Sequence, residues 1–174
     1  MKTSRIIFLT LAIAFLSLAD KGRASEKLFS CRDPEMGVRF KCSPNWQIMF
    51  DGNTDLFVIE EEPEVLLTII REPSRLISLS ELTTDRLQSF GHYADGFQRE
   101  SILINEIPAV KVKAFDRASS DIRLTDIYLI RNGYLYKILF SVAPQNEWSK
   151  YQFVLQEVLK EFSFLPQEVL LSEE

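Results

Sequence analysis

The chain has 174 residues, 46% of them apolar, and a formal net charge of −5. That length suffices for one domain with its own core, and the acidic balance argues against nucleic acid or an anionic membrane surface as the main partner, since both demand a basic footprint. A single histidine and two cysteines leave little material for metal or thiol chemistry.

The chain opens Met1-Lys2-Thr3-Ser4-Arg5, runs apolar from Ile6 to Ala19, and turns polar at Asp20-Lys21-Gly22-Arg23. A basic start, a short apolar run and small residues after it read as a secretory signal peptide over residues 1–24, with cleavage after Ala19 or Ala24. The apolar run is shorter than the roughly 17 to 25 residues that span a bilayer, so no stable membrane insertion is expected once it is removed. The stretch LFSC at Leu28–Cys31 imitates a lipoprotein box, but charged residues separate it from the apolar run and Phe29 is bulky, so lipidation is not expected. Without residues 1–24 the chain loses four bases and one acid, leaving 16 bases against 24 acids, a net of −8. The expected location is periplasmic or secreted, with a single domain over residues 25–164 and a tail over 165–174.

Export places Cys31 and Cys42 where disulfides persist. Between them Val38, Phe40 and Cys42 alternate with Arg39 and Lys41, the period of a half-buried strand. Folding the segment about Met36-Gly37 sets Cys31 opposite Cys42, and opposed hairpin side chains have Cβ atoms about 4.5 to 5.5 Å apart, close to bonding distance. A cross-strand disulfide is predicted. A redox or metal-binding pair would call for C-x-x-C spacing or neighbouring histidines, and neither is present.

WQIMF and DLFVIEE follow as strands, joined through Asp51-Gly52-Asn53. EVLLTIIRE comes next across Glu62-Pro63; its Val65, Leu67 and Ile69 face one way and Leu66, Thr68 and Ile70 the other, so both faces are apolar. Ser78 with Glu81 forms a capping box, and Leu79, Leu82, Leu87 and Phe90 recur at helical spacing, which predicts one helix from Leu79 to Phe90 ended by Gly91. The strands FQRESILIN and AVKVKAFDR are linked by a turn at Asn105-Glu106-Ile107-Pro108. IRLTDIYLIRN passes through Asn132-Gly133 into YLYKILFSV, a strong hairpin signal. The last element, NEWSKYQFVLQEVLKEF, carries Trp148, Tyr151, Leu155, Val158, Leu159 and Phe162 on one helical stripe. Strands apolar on both faces need cover on both sides. The expected fold is therefore α+β: an antiparallel six- or seven-stranded sheet covered by helices on both faces, a three-layer α/β/α arrangement.

The segment GVRFKCSPNWQI, through Gly37, Val38, Phe40, Pro44 and Trp46, resembles the PsbP-like family. So do INEIPAVKV at Ile104–Val112 and the YLIRNGYLYKILFSV hairpin before a terminal amphipathic helix ending in Phe162-Ser163-Phe164. The likeness, to an exported bacterial PsbP-related protein, covers nearly the whole mature chain. It implies the Mog/PsbP-like fold, shared by the extrinsic P subunit of photosystem II and the Ran-binding Mog protein, and mainly non-catalytic accessory roles with different partners. No family functional residue carries over: some photosynthetic relatives have a lipid anchor and histidine metal sites, whereas this chain has His92 alone.

His92 lies in GHYADGF, with Asp85 and Asp95 near it in sequence. A Ser-His-Asp hydrolase needs an oriented histidine and an activated hydroxyl, and no nucleophile-elbow pattern accompanies this one; no enzyme is expected. The run Glu60-Glu61-Glu62-Pro63-Glu64 reads as a charged hairpin tip rather than a cation site, and Asp116 and Asp121 read as loop residues. Trp46, Phe57, Tyr128 and Trp148 sit at core spacing rather than around a ligand. No EF-hand, P-loop or dinucleotide pattern occurs, so no cofactor or metal is expected. These readings converge on an exported non-catalytic accessory or binding protein that contacts another envelope protein; the alternative is a small apolar-ligand or lipid carrier, with a hydrolase behind both.

Overall fold

The computed structural model describes residues 28–166 apart from 52, 77 and 91. The signal peptide, most of the expected tail and the helix-ending Gly91 lie outside the described residues. Alternating apolar residues produce ten strands: β1 (Phe29–Asp33), β2 (Val38–Cys42), β3 (Gln47–Asp51), β4 (Thr54–Glu60), β5 (Glu64–Pro73), β6 (Gln98–Ile104), β7 (Ile107–Phe115), β8 (Arg123–Arg131), β9 (Tyr134–Ala143) and β10 (Ser163–Phe164). Two helices join them, α1 (Thr84–Ser89) and α2 (Trp148–Glu161). Seven strands form an antiparallel major sheet in the order β3-β4-β5-β9-β8-β7-β6, and β1-β2-β10 form a separate minor sheet.

The first hairpin belongs to the minor sheet, and its register differs from the one expected. Cys31 pairs with Phe40 and Phe29 with Cys42, because the turn spans Pro34 to Gly37 between the paired Asp33 and Val38. The Asp33 side chain holds that turn, accepting from the Met36 backbone N–H at 2.8 Å. Cys31 and Cys42 are thus diagonal rather than opposed. The right-handed strand twist still brings them to disulfide-bonding distance, with Cα atoms 5.9 Å apart.

Side-chain alternation divides the major sheet into two faces. Val65, Leu67 and Ile69 of β5, Ile138, Phe140 and Val142 of β9, and Ile127 and Leu129 of β8 are buried in a core shared with Val38 and Phe40 of β2 and Tyr151, Val154, Leu155 and Val158 of α2. Burying four such helix side chains contributes about 6 to 12 kcal/mol before entropy costs. Val154 takes a core place the sequence did not assign, while Trp148 and Leu159 sit at the margin.

The opposite face carries a second core, built from Val110, Val112 and Ala114 of β7, Leu124 and Tyr128 of β8, and Leu135 of β9, under Leu76, Leu82, Leu87 and Tyr93. Helices covering both faces are not what the chain builds: α2 is its one long helix among the described residues. The expected helix from Leu79 to Phe90 is split into a single 3₁₀ turn at Leu79–Glu81 and the six-residue α1. Glu81 Oε1 accepts from the Ser78 backbone N–H at 3.0 Å, so the first cap forms as read. Leu82 then leaves helical geometry to be buried completely, its carbonyl accepts from Arg99 Nε at 3.0 Å, and Thr83 starts a new helix by accepting from the Arg86 N–H at 3.3 Å.

Candidate functional site

This short cover reaches β7, β8 and the near side of β9. Beyond it the same face of the major sheet runs on as a strip in which Met49 pairs with Leu56, Leu56 with Thr68, and Thr68 with Leu139, while Val58 pairs with Leu66 in the next row. Leu56, Val58, Leu66, Ile70 and Leu139 are half-buried, Met49 is 54% exposed, and none of the six packs into either core. Strands whose inner face must be apolar carry an apolar outer face here with nothing over it among the described residues. A contiguous apolar surface rimmed by polar groups is characteristic of an interaction site.

The rim nearest the second core is polar. Asp126 on β8 is 1% exposed and projects onto this face beside Tyr128. Its Oδ2 accepts from the Tyr93 hydroxyl at 2.5 Å and lies 2.9 Å from His92 Nε2; the Tyr93 and Tyr128 hydroxyls are themselves bonded. The Asp126 bond holds the His92 imidazole above its ordinary pKa against the opposing effect of burial, helped by the Asp126 charge and a backbone bond to Phe90. Burial and the Asp126 charge push the Tyr93 phenol well up, and burial does the same to Tyr128. The arrangement is a clamp: a buried carboxylate fastens the loop carrying His92 and Tyr93 to the sheet. Phe90 stacks on Tyr128 at 5.8 Å and lies under Lys137 Nζ at 4.8 Å, closing the rim. Lys137 also pairs with Glu72 at 2.7 Å.

No protein-family model matches this sequence, and no curated protein sequence does. Solved structures do. Cyanobacterial PsbP (CyanoP) from Synechocystis superposes with a TM-score of 0.57 at 14% identity, over 84% of this chain and 97% of that one. The Ran-binding protein Mog1p of Saccharomyces cerevisiae gives 0.55 at 9% identity, over 83% and 99%. The chain has the PsbP/Mog1-like fold. LpqN of Mycobacterium tuberculosis, described as involved in cell envelope biogenesis, shares it with a TM-score of 0.52 at 8% identity, over 80% and 91%.

On this PsbP/Mog1-like frame the sequence-predicted candidates scatter. His92 meets neither Asp85 nor Asp95; Asp95 accepts from Gln88 Nε2 at 2.7 Å, and the acid that holds His92 is Asp126. Sequence reading missed Asp126, although an aspartate two residues before Tyr128 inside a largely apolar strand was the available signal. Glu60, Glu61, Glu62 and Glu64 are exposed at the β4–β5 tip, with Glu61 accepting from Gln47 Nε2 at 2.7 Å. Asp116 closes its own loop by accepting from the Ala118 and Ser119 N–H groups at 2.7 and 3.3 Å. No group of three or more His, Cys, Asp or Glu side chains among the described residues is placed to hold a metal ion. Trp46, Phe57 and Tyr128 are buried core residues, Trp46 meeting Phe57 edge-on at 6.0 Å. Trp148 is half-buried, with the Arg123 guanidinium 4.8 Å above its ring. No helix among the described residues is long and apolar enough to cross a membrane.

Proposed function

We propose that the chain is an exported, non-catalytic accessory protein that binds another protein of the envelope through the uncovered apolar strip of its major sheet. The observation that carries this reading is the strip itself: Met49, Leu56, Val58, Leu66, Ile70 and Leu139 run across four strands and join neither core among the described residues. A partner that buries it gains about 25 cal/mol for each Å² of apolar surface removed from water. Export rests on the leader and on the cysteine pair at bonding distance. Among proteins of the same fold, one is described as Ran-binding and another as involved in cell envelope biogenesis, which fits binding work in an envelope. The non-catalytic reading draws on the place of His92, whose ring is engaged by Asp126 and the Phe90 backbone in the clamp.

A photo-crosslinking residue at position 49, in the chain produced in its own cells, tests the proposal. A discrete heterologous adduct is expected, lost when Leu56→Glu is added while folding is retained. Recovery of free monomer alone, or an adduct indifferent to Leu56→Glu, would sink it.

One observation favours a second reading, a carrier of small apolar ligands. An open groove of about 660 Å³ lies between the 3₁₀ turn and the β6–β7 hairpin, lined by Leu79, Arg99, Leu103, Pro108 and Val110. Native mass spectrometry of the isolated chain would then reveal a copurifying molecule, and a clean apo mass removes this reading.

A further inference from the structure

At the β8–β9 turn end of the major sheet, on the face opposite the strip, two arginines gather beside two tyrosines. Arg71 on β5 pairs with Tyr136 on β9, and Tyr134 on β9 pairs with Arg131 on β8, so the two arginines flank the two tyrosines on one face. The Arg71 guanidinium stacks over the Tyr134 ring at 5.0 Å and the Arg131 guanidinium over Phe164 at 4.6 Å, while Phe164 meets Tyr136 edge-on at 4.8 Å. The aromatic rings fix both cations in place. Neither arginine has an ion-pair partner among the described residues, although the chain as a whole is acidic. Arg71 Nε is buried and has no hydrogen-bond partner among the described residues. Burial raises the Tyr136 phenol, opposed by the Arg71 charge, by a side-chain hydrogen bond in which Arg71 donates to the phenol oxygen, and by the Arg131 charge. Arg131 and Tyr134 are exposed, so the cluster is open to solvent on one side.

We infer that Arg71, Arg131 and the Tyr136 hydroxyl form an oxyanion-binding site that takes a carboxylate or phosphate group against the Tyr134 ring. A guanidinium offers several N–H donors and no acceptor, and its planar fork matches the paired oxygens of such groups. A buried Nε–H without a partner among the described residues is a donor open to an added acceptor. The Tyr136 hydroxyl, whose oxygen accepts from Arg71, keeps its own proton to donate. The site lies on the other face from the strip and stands independently of the binding reading above.

The Nε–H signal of Arg71 in a nitrogen–proton correlation spectrum of the full chain reports directly on this. Inorganic phosphate and acetate are titrated separately at constant ionic strength, into the parent, Arg71→Lys and Arg131→Gln. The Arg71 signal is expected to shift saturably in the parent with at least one anion. Each variant should bind that anion about tenfold more weakly, the factor expected when a charge-assisted hydrogen bond is lost, read from the Arg71 Nε–H in Arg131→Gln and from the Arg131 Nε–H in Arg71→Lys, with the rest of the spectrum unchanged. The stronger of the two anions assigns the ligand class. Arg131→Gln alters an exposed side chain and keeps the test open should Arg71→Lys fail to fold. A linear response to both anions, meaning screening only or a resident water, overturns the inference, as does saturation unchanged in Arg131→Gln.

Discussion

Asp55 on β4 shows what one misplaced charge does in this fold. It is 3% exposed, one of its carboxyl oxygens has no hydrogen-bond partner, and burial, followed by the hydrogen bond and charge of Asp33, pushes its pKa up to about 8 from the ordinary 3.8. The folded state therefore holds a proton that the unfolded chain has already lost. Its contribution to stability is complete below pH 3.8 and is lost as the pH rises through about 8. His92 acts in the same direction above 6.5, since the Asp126 bond raises it too. Asp55→Asn should flatten the fall in urea midpoint between about pH 4 and pH 8, and adding His92→Gln should flatten it further at the alkaline end. Parallel curves for parent and Asp55→Asn would show that this carboxyl is not the origin. Asp55 follows a turn and gives no sequence signal, whereas Asp126 interrupts a strand; the fold reveals that both are buried.

Turns and pairings set the next scale. Asn132 and Gly133 both have positive φ, 52° and 78°, as the Asn-Gly pair implies. The β6–β7 turn uses the same geometry with Asn105 and Glu106 at 49° and 70°, where the sequence suggested a four-residue turn. Asn105 is kept there by its tertiary contacts, its Nδ2 donating to the Lys160 and Phe162 carbonyls at 2.9 Å each. Glu106 is a Cβ-bearing residue in a region glycine tolerates better, so Glu106→Gly should stabilise the chain by about 0.5 to 1 kcal/mol, read as a raised thermal midpoint. A lowered midpoint would refute the argument. In the minor sheet the Cys31–Cys42 pair spans 11 residues. Replacing both by serine should lower stability by about 2 to 3 kcal/mol in the chain-entropy model, whereas an unchanged denaturation curve would mean that the link constrains little.

At the scale of the molecule, one face of the major sheet packs against α2 and the minor sheet, and the other is covered by a shorter set of elements. Met49→Glu, at the strip's exposed edge, should move folding stability by no more than about 0.5 kcal/mol, because a surface position with no core partner has little to lose; a larger loss in a urea titration would mean that the strip is sealed within the chain. The positions of β1 to β9, the two-faced apolar pattern, the disulfide pair, the terminal helix and the fold resemblance were legible in the sequence, while the short β10 was not. Periodicity, turn chemistry and spacing are local properties that the chain carries into any environment. The hairpin register, the break at Leu82, the partner of His92 and the extent of the cover were not legible. Each depends on which residues distant in sequence come to share one volume: Leu82 with Arg99, His92 with Asp126, Asn105 with the end of α2. Apolar pattern alone declares that two faces want burying; only the packed tertiary structure decides how much of each the chain can reach, since a six-residue helix and one turn cannot span seven strands.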